Sequence, residues 1–292
     1  MTAKVGVSEG NPLFRTGGTA QGATPATAIH LDGVICTLGD KVALDIGRLN
    51  IAVGERVAIV GHNGAGKSTL MRLLSGFVGA ERGVVSVLGQ RLPSQASSRS
   101  LKALRSEVGQ VLQGLHLVQR LSALDNVLIG ALGRLSGWRT WLRWHRPEDV
   151  AEAEAALIEV GLLAKADVRV DQLSGGERQK VAIARLLMQR ARLILADEPT
   201  AALDPRAAAE VCTLLARAAL GPRGVTLISV VHNPSLLRLL ADRVVGLRQG
   251  HIAFDLPVDE VNDACLLSLY RAESRNVVAI AADAPDLIAE PA

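Results

Sequence analysis

Nine consecutive residues have the types and the spacing that suit binding of phosphate. They are, in order, Gly61, His62, Asn63, Gly64, Ala65, Gly66, Lys67, Ser68 and Thr69. Glycines let the backbone curl so that successive N–H groups point inward at an anion. Lys67 is long enough to reach the terminal phosphates of a nucleotide, and the Ser68 hydroxyl is a ligand for Mg²⁺. The stretch predicts a phosphate-binding loop, with a chance glycine turn as the alternative.

The segments on either side of this loop favour the phosphate-binding interpretation. Residues 55–60 form a short apolar run that is typical of a buried parallel strand. Residues 69–74 have the pattern of the first turns of an amphipathic helix. The N-terminus of a helix carries partial positive charge and open N–H groups, so it attracts anions. A strand, a glycine loop and a helix in this order make a chance turn a poor explanation.

Two adjacent acids, Asp197 and Glu198, follow a later apolar run at residues 193–196. A carboxylate at the C-terminal end of a parallel strand lies beside the phosphate loop in an open sheet. Asp197 is then placed to hold Mg²⁺, directly or through water, and Glu198 to polarise an attacking water molecule. An acidic pair by itself would more simply be explained as a solvated turn. Because this pair follows an apolar strand downstream of the phosphate loop, the catalytic interpretation is favoured.

Residues 173–179 read Leu-Ser-Gly-Gly-Glu-Arg-Gln and predict the start of another helix. Ser174 and Glu177, three positions apart, fit a capping box. Two glycines at a helix N-terminus, here Gly175 and Gly176, also suit an anion. One nucleotide fills the phosphate loop of its own chain. A second anion site therefore indicates a nucleotide held between two chains.

Together these motifs resemble the nucleotide-binding subunit of ATP-binding-cassette (ABC) transporters, over about residues 28–255. Residues 61–69 match the Walker A loop of that family, 193–198 the Walker B strand and 173–179 the signature sequence. The resemblance implies ATP and Mg²⁺ as ligands and a head-to-tail homodimer with ATP at its interface. It implies integral membrane permease subunits as partners and, through them, a periplasmic or surface solute-binding protein. It also implies a peripheral position on the cytoplasmic face of the inner or plasma membrane.

The same resemblance assigns roles to single residues. Gln113 stands at the Q-loop position, Asp204 at the D-loop position that the family uses across the dimer, and His232 at the position of the switch histidine. Ser174 and Gly176 of one chain would close over the γ-phosphate bound by the other. The expected catalytic residues are Lys67, Glu198 and His232, and the expected Mg²⁺ ligands are Ser68, Gln113 and Asp197.

The sequence departs from the pattern of this family in two places. The family commonly stacks adenine on an aromatic side chain near the start of the domain, where this chain has Leu38 and Val42. These two residues offer an apolar shelf without the stacking energy of about 1 kcal/mol, so we expect loose adenine selectivity. Residues 114–117 read Gly-Leu-His-Leu, where relatives often have Gln-Phe-Asn-Leu.

The transported solute is suggested by one insertion. The run 126–130, together with the later Trp138 and Arg139, resembles the ATPase of phosphonate importers. The resemblance implies import of phosphonate or a related phosphorus oxyanion. An importer of polar amino acids and an exporter of lipoproteins or peptides are the alternatives among transporters.

Two further classes of protein are alternatives to a transporter subunit. Soluble cassette ATPases of DNA repair or ribosomes usually have a long coiled-coil insertion or two fused cassettes, and 292 residues hold neither. A scaffold that binds nucleotide without hydrolysis would not need Lys67, Glu198 and His232 together.

All three tryptophans fall in one short stretch, interleaved with arginines. They are Trp138, Trp141 and Trp144. Their spacing predicts a helix that buries an aromatic stripe. A basic aromatic face against a partner or against lipid headgroups is the alternative.

The composition narrows the class of protein. Hydrophobic residues make up 49% and aromatic residues 2% of the chain, so the core must be aliphatic. The formal net charge of +3 is dispersed, so we expect no nucleic-acid partner. Three widely spaced cysteines favour a reducing compartment. No apolar run reaches the roughly 18 residues of a membrane span, and no signal peptide is visible.

The elements that must position these residues follow from the local patterns. We expect an antiparallel β segment at 28–60, a strand at 83–89, and helical structure from about 98 to 190 that includes a helix at 151–160. Strands at 191–196 and 225–231, on either side of a helix at 206–219, predict a right-handed parallel unit. A hairpin is expected at 242–254.

The predicted fold class is α/β. It combines a P-loop NTPase core with a mostly parallel sheet, an N-terminal antiparallel β subdomain and an inserted α-helical subdomain at about 98–190. The predicted division is a flexible N-terminal tail at 1–27, an ATPase domain at 28–272 and a flexible C-terminal tail at 273–292. The segment after the hairpin is too short for an added regulatory domain, so none is expected.

Overall fold

The computed structural model describes residues 26–93, 97–134, 146–201, 203–220 and 224–269. The predicted tails lie outside these residues, except for Ala26 and Thr27, of which Thr27 already belongs to the first strand. The three tryptophans also lie outside the described residues. In the described part of the chain the strands are β1 (Thr27–Leu38), β2 (Lys41–Ala52), β3 (Arg56–Val60), β4 (Arg82–Val87), β5 (Gln90–Arg91), β6 (Val108–Val111), β7 (Leu193–Asp197), β8 (Thr226–Val230), β9 (Arg243–Arg248) and β10 (His251–Pro257). The helices are α1 (Lys67–Leu74), α2 (Ser98–Glu107), α3 (Ala123–Ile129), α4 (Pro147–Glu159), α5 (Gly175–Gln189), α6 (Pro205–Leu220) and α7 (Leu237–Leu240).

A six-stranded sheet forms the centre of the molecule, in the order β10-β9-β3-β8-β7-β6. The five strands from β9 to β6 are parallel, and only β10 runs antiparallel to its neighbour. This confirms the predicted mostly parallel sheet and the hairpin. Strands β7 and β8 are mostly apolar and almost wholly buried, as expected for parallel strands covered on both faces. The C-terminal ends of β3, β6, β7 and β8 therefore meet at one edge.

A second sheet is antiparallel and has the order β2-β1-β4-β5. Strands β1 and β2 are both 12 residues long, and each alternates between buried and exposed positions. Their inward side chains share one aliphatic core with α1 and with one face of the parallel sheet. This confirms the predicted N-terminal antiparallel segment and shows how it rests against the element that follows the phosphate loop.

The prediction of helical structure throughout residues 98–190 was wrong at one point. Strand β6 lies within this range and pairs in parallel with β7, with Val108 opposite Leu193. Four residues are too few to show a period, so the sequence alone does not separate this strand from a helix. Because Gly109 has no side chain, α5 can pack closely against β6. A Cβ at this position would lie only 2.1 Å from Cδ1 of Leu186 in α5.

The helices of this range pack together rather than on the sheet alone. Helix α5 contacts α3, α4 and α6, and its buried side chains belong to a second aliphatic core. Within the described residues, no helix combines the length and the apolar character needed to cross a membrane.

Candidate functional site

The phosphate-loop segment 61–69 runs from the end of β3 into the first turn of α1, and it packs against both β2 and β9. Gly66 has φ +105°, in the left-handed region that favours glycine. A Cβ at Gly66 would lie 2.7 Å from the carbonyl oxygen of Ala43, and one at Gly61 would lie 2.4 Å from that of Leu247. The turn of the β9–β10 hairpin reaches the loop as well, where the N–H of Gly250 donates to the carbonyl of Ala65 at 3.0 Å. These contacts fix the loop from two sides.

The N-terminus of α1 opens into this loop. Its N-cap is Gly66, whose missing side chain cannot cap the first-turn N–H groups, so the backbone donors remain available to an anion. The hydroxyl-bearing Ser68 is exposed beside them, whereas Thr69 is buried. The sequence prediction of strand, glycine loop and helix is confirmed as local structure.

Lys67 lies inside the loop rather than in solvent. Its ammonium group donates to the carbonyl of Gly61 at 2.8 Å and to that of His62 at 2.9 Å, and the residue is 7% exposed. Burial lowers the pKa of Lys67, while the nearby carboxylates of Glu198 and Asp197 act to raise it. A cation is thus held where the first helical turn and the loop amides converge.

The two acids and the histidine converge at the ends of β7 and β8. Asp197 is the last residue of β7, and Glu198 follows it with φ +50°, so the chain turns sharply there. His232 lies just beyond β8, and its Nε2 is 2.6 Å from Oε1 of Glu198. Burial raises the pKa of Asp197, as does Glu198, and Lys67 and His232 oppose that rise. Lys67, Asp197, Glu198 and His232 therefore form one electrostatic cluster.

Gln113 stands two residues after β6, at the same sheet edge as this cluster. Val111, the last residue of β6, pairs with Ala196, the residue before Asp197, and Gln113 follows at this edge with an exposed side chain. Strand β6, which the sequence analysis had assigned to helical structure, therefore places Gln113 at the sheet edge that carries Asp197 and Glu198.

Arg185, in α5, is a residue that the sequence analysis did not single out. Its guanidinium donates to the carbonyl of Leu115 at 2.7 Å and to that of His116 at 2.8 Å. These two residues follow Gln113 and both have positive φ, +55° and +45°. Burial lowers the pKa of Arg185. The available signal was a single charged residue inside the otherwise apolar run 181–188.

The signature segment forms the start of α5, as predicted. Ser174 is the N-cap, its hydroxyl accepting from the N–H of Glu177 at 3.3 Å, and Glu177 accepts from the N–H of Ser174 at 2.9 Å. This confirms the capping box. Ser174 and Gly175 are exposed, and Gly176 is half-buried. The first-turn amides of α5 therefore face outward, away from the core.

The D-loop residue Asp204 begins the next helix. Its carboxylate accepts from the N–H groups of Arg206 and Ala207, both at 3.0 Å, and so caps α6. A Cβ on Gly176 would lie 3.7 Å from the Cβ of Ala207, so the start of α6 borders the signature segment. The use of Asp204 across a dimer stays a prediction.

Leu38 and Val42 flank the turn between β1 and β2. They are 47% and 57% exposed, which is unusual for large apolar side chains. Ala43, next to Val42, borders the phosphate loop at Gly66. The apolar shelf therefore lies beside the phosphate loop, and its contact with adenine stays a prediction.

The side chains at this edge fit a magnesium–nucleotide complex. Mg²⁺ prefers oxygen ligands, and Ser68, Gln113 and Asp197 supply a hydroxyl, an amide carbonyl and a carboxylate. The loop has no Cβ at the glycines where the backbone turns, which leaves its N–H groups accessible to phosphate oxygens.

The chain belongs to the ABC transporter family, whose model matches residues 44–201. Over 253 residues it is 40% identical to the phosphonates import ATP-binding protein PhnC of Escherichia coli K12, a match that covers 85% of this chain and 96% of that protein. It is 45% identical over 261 residues to the PhnC of Anaeromyxobacter dehalogenans. That match covers 89% of this chain but only 51% of the relative, so this chain spans about half of the relative's length.

Solved structures with the same fold are nucleotide-binding cassettes. One is a dimeric ATP-binding cassette in a post-hydrolysis state with bound ADP and Pi, 29% identical with a TM-score of 0.68, covering 79% of this chain and 98% of the other. Another is cbiO1 of Clostridium perfringens, part of the ABC transporter complex cbiONQ, 25% identical with a TM-score of 0.71, covering 87% and 98%. The resemblance seen in the sequence motifs is confirmed.

Proposed function

We propose that this chain is the ATP-hydrolysing subunit of an ABC importer of phosphonates or related phosphorus oxyanions. The supporting observation is its identity of 40–45% to proteins named as phosphonate import ATP-binding proteins, over 85–89% of its own length. The motif residues that form the electrostatic cluster support hydrolysis rather than nucleotide binding alone. The choice of solute belongs to the partner proteins, because no residue of an ATPase subunit of this kind contacts the solute.

ATP binds with its phosphates in the loop at 61–69. Lys67 exchanges its two carbonyl partners for the β- and γ-phosphates, and the N-terminus of α1 donates to them. Ser68, Gln113 and Asp197 would hold Mg²⁺, which when bound would supply positive charge beside the phosphate oxygens. Leu38 and Val42 support the adenine.

Hydrolysis uses the hydrogen-bonded pair of Glu198 and His232. The carboxylate of Glu198 orients and polarises a water molecule for in-line attack on the γ-phosphorus. The oxygen of this water forms the new bond to phosphorus as the bond to the β–γ bridging oxygen breaks. Glu198 takes the proton of the water, and ADP and phosphate leave. His232 steadies the γ-phosphate during the transfer.

Two copies enclose two ATP molecules head to tail. Ser174, Gly175 and Gly176 of one copy close over the γ-phosphate in the other copy, and Asp204 contacts the facing site. The exposed N-terminus of α5 supports this arrangement, as does the fold shared with a dimeric cassette bound to ADP and Pi. Closure and reopening drive permease subunits in the membrane, with the chain on the cytoplasmic face and a solute-binding protein outside.

The first test is the Glu198→Gln variant. We expect ATP hydrolysis to fall about 100-fold or more, since general-base catalysis is lost, while ATP affinity is kept and a nucleotide-bound dimer accumulates. The matched control is Glu210→Gln, which removes a carboxylate of α6 that pairs with Lys180. Hydrolysis by Glu198→Gln at the rate of the control would contradict the assignment of the base.

The second test addresses the solute. Cells that lack this chain should fail to grow on a phosphonate as the only phosphorus source and should grow normally on phosphate. Growth that is restored by the wild-type chain, and not by Glu198→Gln, supports phosphonate import. Unimpaired growth on phosphonates, combined with a loss of uptake of polar amino acids, would favour the alternative importer.

A further inference from the structure

A negative charge lies at the signature segment, where the proposed dimer must accept a γ-phosphate. Glu177 occupies the third position of α5, and its carboxylate closes the capping box. A carboxylate at a helix N-terminus is stabilised by the helix dipole and offsets the positive potential that attracts an anion. The capping box thus helps the helix to form and opposes the binding of phosphate at its end.

A lysine from a different element compensates this charge. One carboxylate oxygen of Glu177 accepts from the N–H of Ser174, and the other accepts from the ammonium group of Lys165 at 2.5 Å. Lys165 ends a 3₁₀ turn, Leu163–Lys165, that follows α4. The backbone on both sides is fixed, because Lys165 donates to Leu162 and accepts from Val168, each at 3.0 Å.

Protonation of Glu177 does not remove the charge. The hydrogen bond from Lys165 and the bond from the Ser174 backbone lower the pKa of this carboxyl from 4.5 to about 2. The group therefore stays ionised well below neutral pH. Only a cation can neutralise it, and in the described part of the chain Lys165 is the cation bound to it.

We propose that Lys165 is a positioning residue for dimer closure, whose ammonium group cancels the charge of Glu177 so that the signature segment accepts the γ-phosphate of ATP on a second copy. The inference rests on the proposed function, because it takes the two-chain ATP site as given. It assigns a role to Lys165, which lies outside the sequence motifs that bind the nucleotide. The pair also keeps Ser174 in place, since Glu177 holds the backbone of that residue.

The experiment measures ATP-driven dimerisation of the full chain by sedimentation velocity, with Mg²⁺ and ATP, in the slowly hydrolysing Glu198→Gln background. Adding Lys165→Met should weaken dimerisation on the order of tenfold, since an uncompensated carboxylate faces the phosphate. Adding Glu177→Gln instead should leave dimerisation equal or stronger, because glutamine still completes the capping box. Lys165→Met with Glu177→Gln should restore the parent value within about twofold.

The matched control is Lys180→Met, which breaks another lysine–glutamate pair of α5, that with Glu210 at 2.6 Å. It should dimerise as the parent does. Ionic strength separates an electrostatic role of Lys165 from a purely structural one, because only an electrostatic role makes the dimerisation defect depend on salt. Raising the salt should shrink the defect of Lys165→Met, because salt screens repulsion between partly exposed charges.

Two results would overturn the inference while the proposed function stands. One is a parent that dimerises with ATP and a Lys165→Met variant that dimerises equally well. The other is a Glu177→Gln variant as defective as Lys165→Met with no restoration in the double variant, which would mark the pair as a structural contact. A parent that stays monomeric at saturating Mg²⁺ and ATP would overturn the two-chain site itself, and the inference with it.

Discussion

Nε2 of His232 lies 2.6 Å from Oε1 of Glu198, although 34 residues separate them in the chain. The contact exists because β7 and β8 are parallel neighbours, with Asp197 opposite Val230. Glu198 follows β7 directly, and His232 stands two residues after β8. The histidine and the acid therefore lie together at the C-terminal edge of the sheet.

Replacing His232 by alanine should lower the rate of ATP hydrolysis about 100-fold, because Glu198 loses the partner that orients it. ATP affinity should change little, since Lys67 and the loop amides remain. Steady-state hydrolysis and equilibrium nucleotide binding separate the two effects. His30→Ala is the matched control, since it removes a histidine that contacts Asn50, also at 2.6 Å, in the antiparallel sheet. Equal rates for the two variants would remove His232 from the mechanism.

Gly66→Ala should destabilise the protein more than Gly64→Ala does. Both glycines have positive φ, +105° and +80°, so alanine is strained at each by about 1–3 kcal/mol. Only at Gly66 does the added Cβ also meet other atoms, the carbonyl of Ala43 at 2.7 Å and Cδ2 of Leu44 at 2.8 Å, whereas nothing lies within 4 Å at Gly64. Thermal unfolding of the two variants without nucleotide gives the comparison. A larger loss for Gly64→Ala would show that the loop is not wedged against β2.

Arg185→Met should slow hydrolysis several-fold while the affinity for nucleotide stays unchanged. Leu115 and His116 lose the donor that holds their carbonyls, and a backbone strained by about 1–3 kcal/mol per residue then relaxes and displaces Gln113. Hydrogen exchange at residues 114–117 should become faster in parallel.

Arg185→Lys is the graded control for this prediction. It keeps the charge without the two-pronged donor geometry of a guanidinium, so its exchange and its rate should fall between those of the wild type and Arg185→Met. Wild-type exchange in Arg185→Met would contradict a role for this side chain in holding the loop.

The stabilising effect of the Lys165–Glu177 pair should disappear in acid. The pKa of Glu177 is depressed from 4.5 to about 2, so the ionised pair stabilises the fold above pH 4.5 and this contribution is lost as the pH falls towards 2. The difference in melting temperature between wild type and Glu177→Gln should therefore shrink as the pH is lowered from 6 towards 3.5. A difference that is constant over this range would place the pKa of Glu177 near its ordinary value.

Much of the site was predictable because its residues belong to short sequence motifs of consecutive residues. A glycine loop between an apolar run and a helix start defines its own local conformation, and the capping box of Ser174 and Glu177 spans only three positions. The alternation in 28–60 and the apolar runs at 193–196 and 225–231 likewise predicted their strands. The four-residue β6 was missed, since a strand so short is specified by its neighbour β7 and by the close approach of α5 at Gly109.

By itself, the sequence determined the family, the phosphate loop, the acids after β7 and the helix that begins at Ser174, because each depends on residues close together in the chain. The tertiary structure alone decided which of these side chains meet. The contact of His232 with Glu198, the hold of Arg185 on Leu115 and His116, and the pairing of Lys165 with Glu177 all join separate elements. Their existence depends on strand order and helix packing, which act over distances along the chain that no local pattern records.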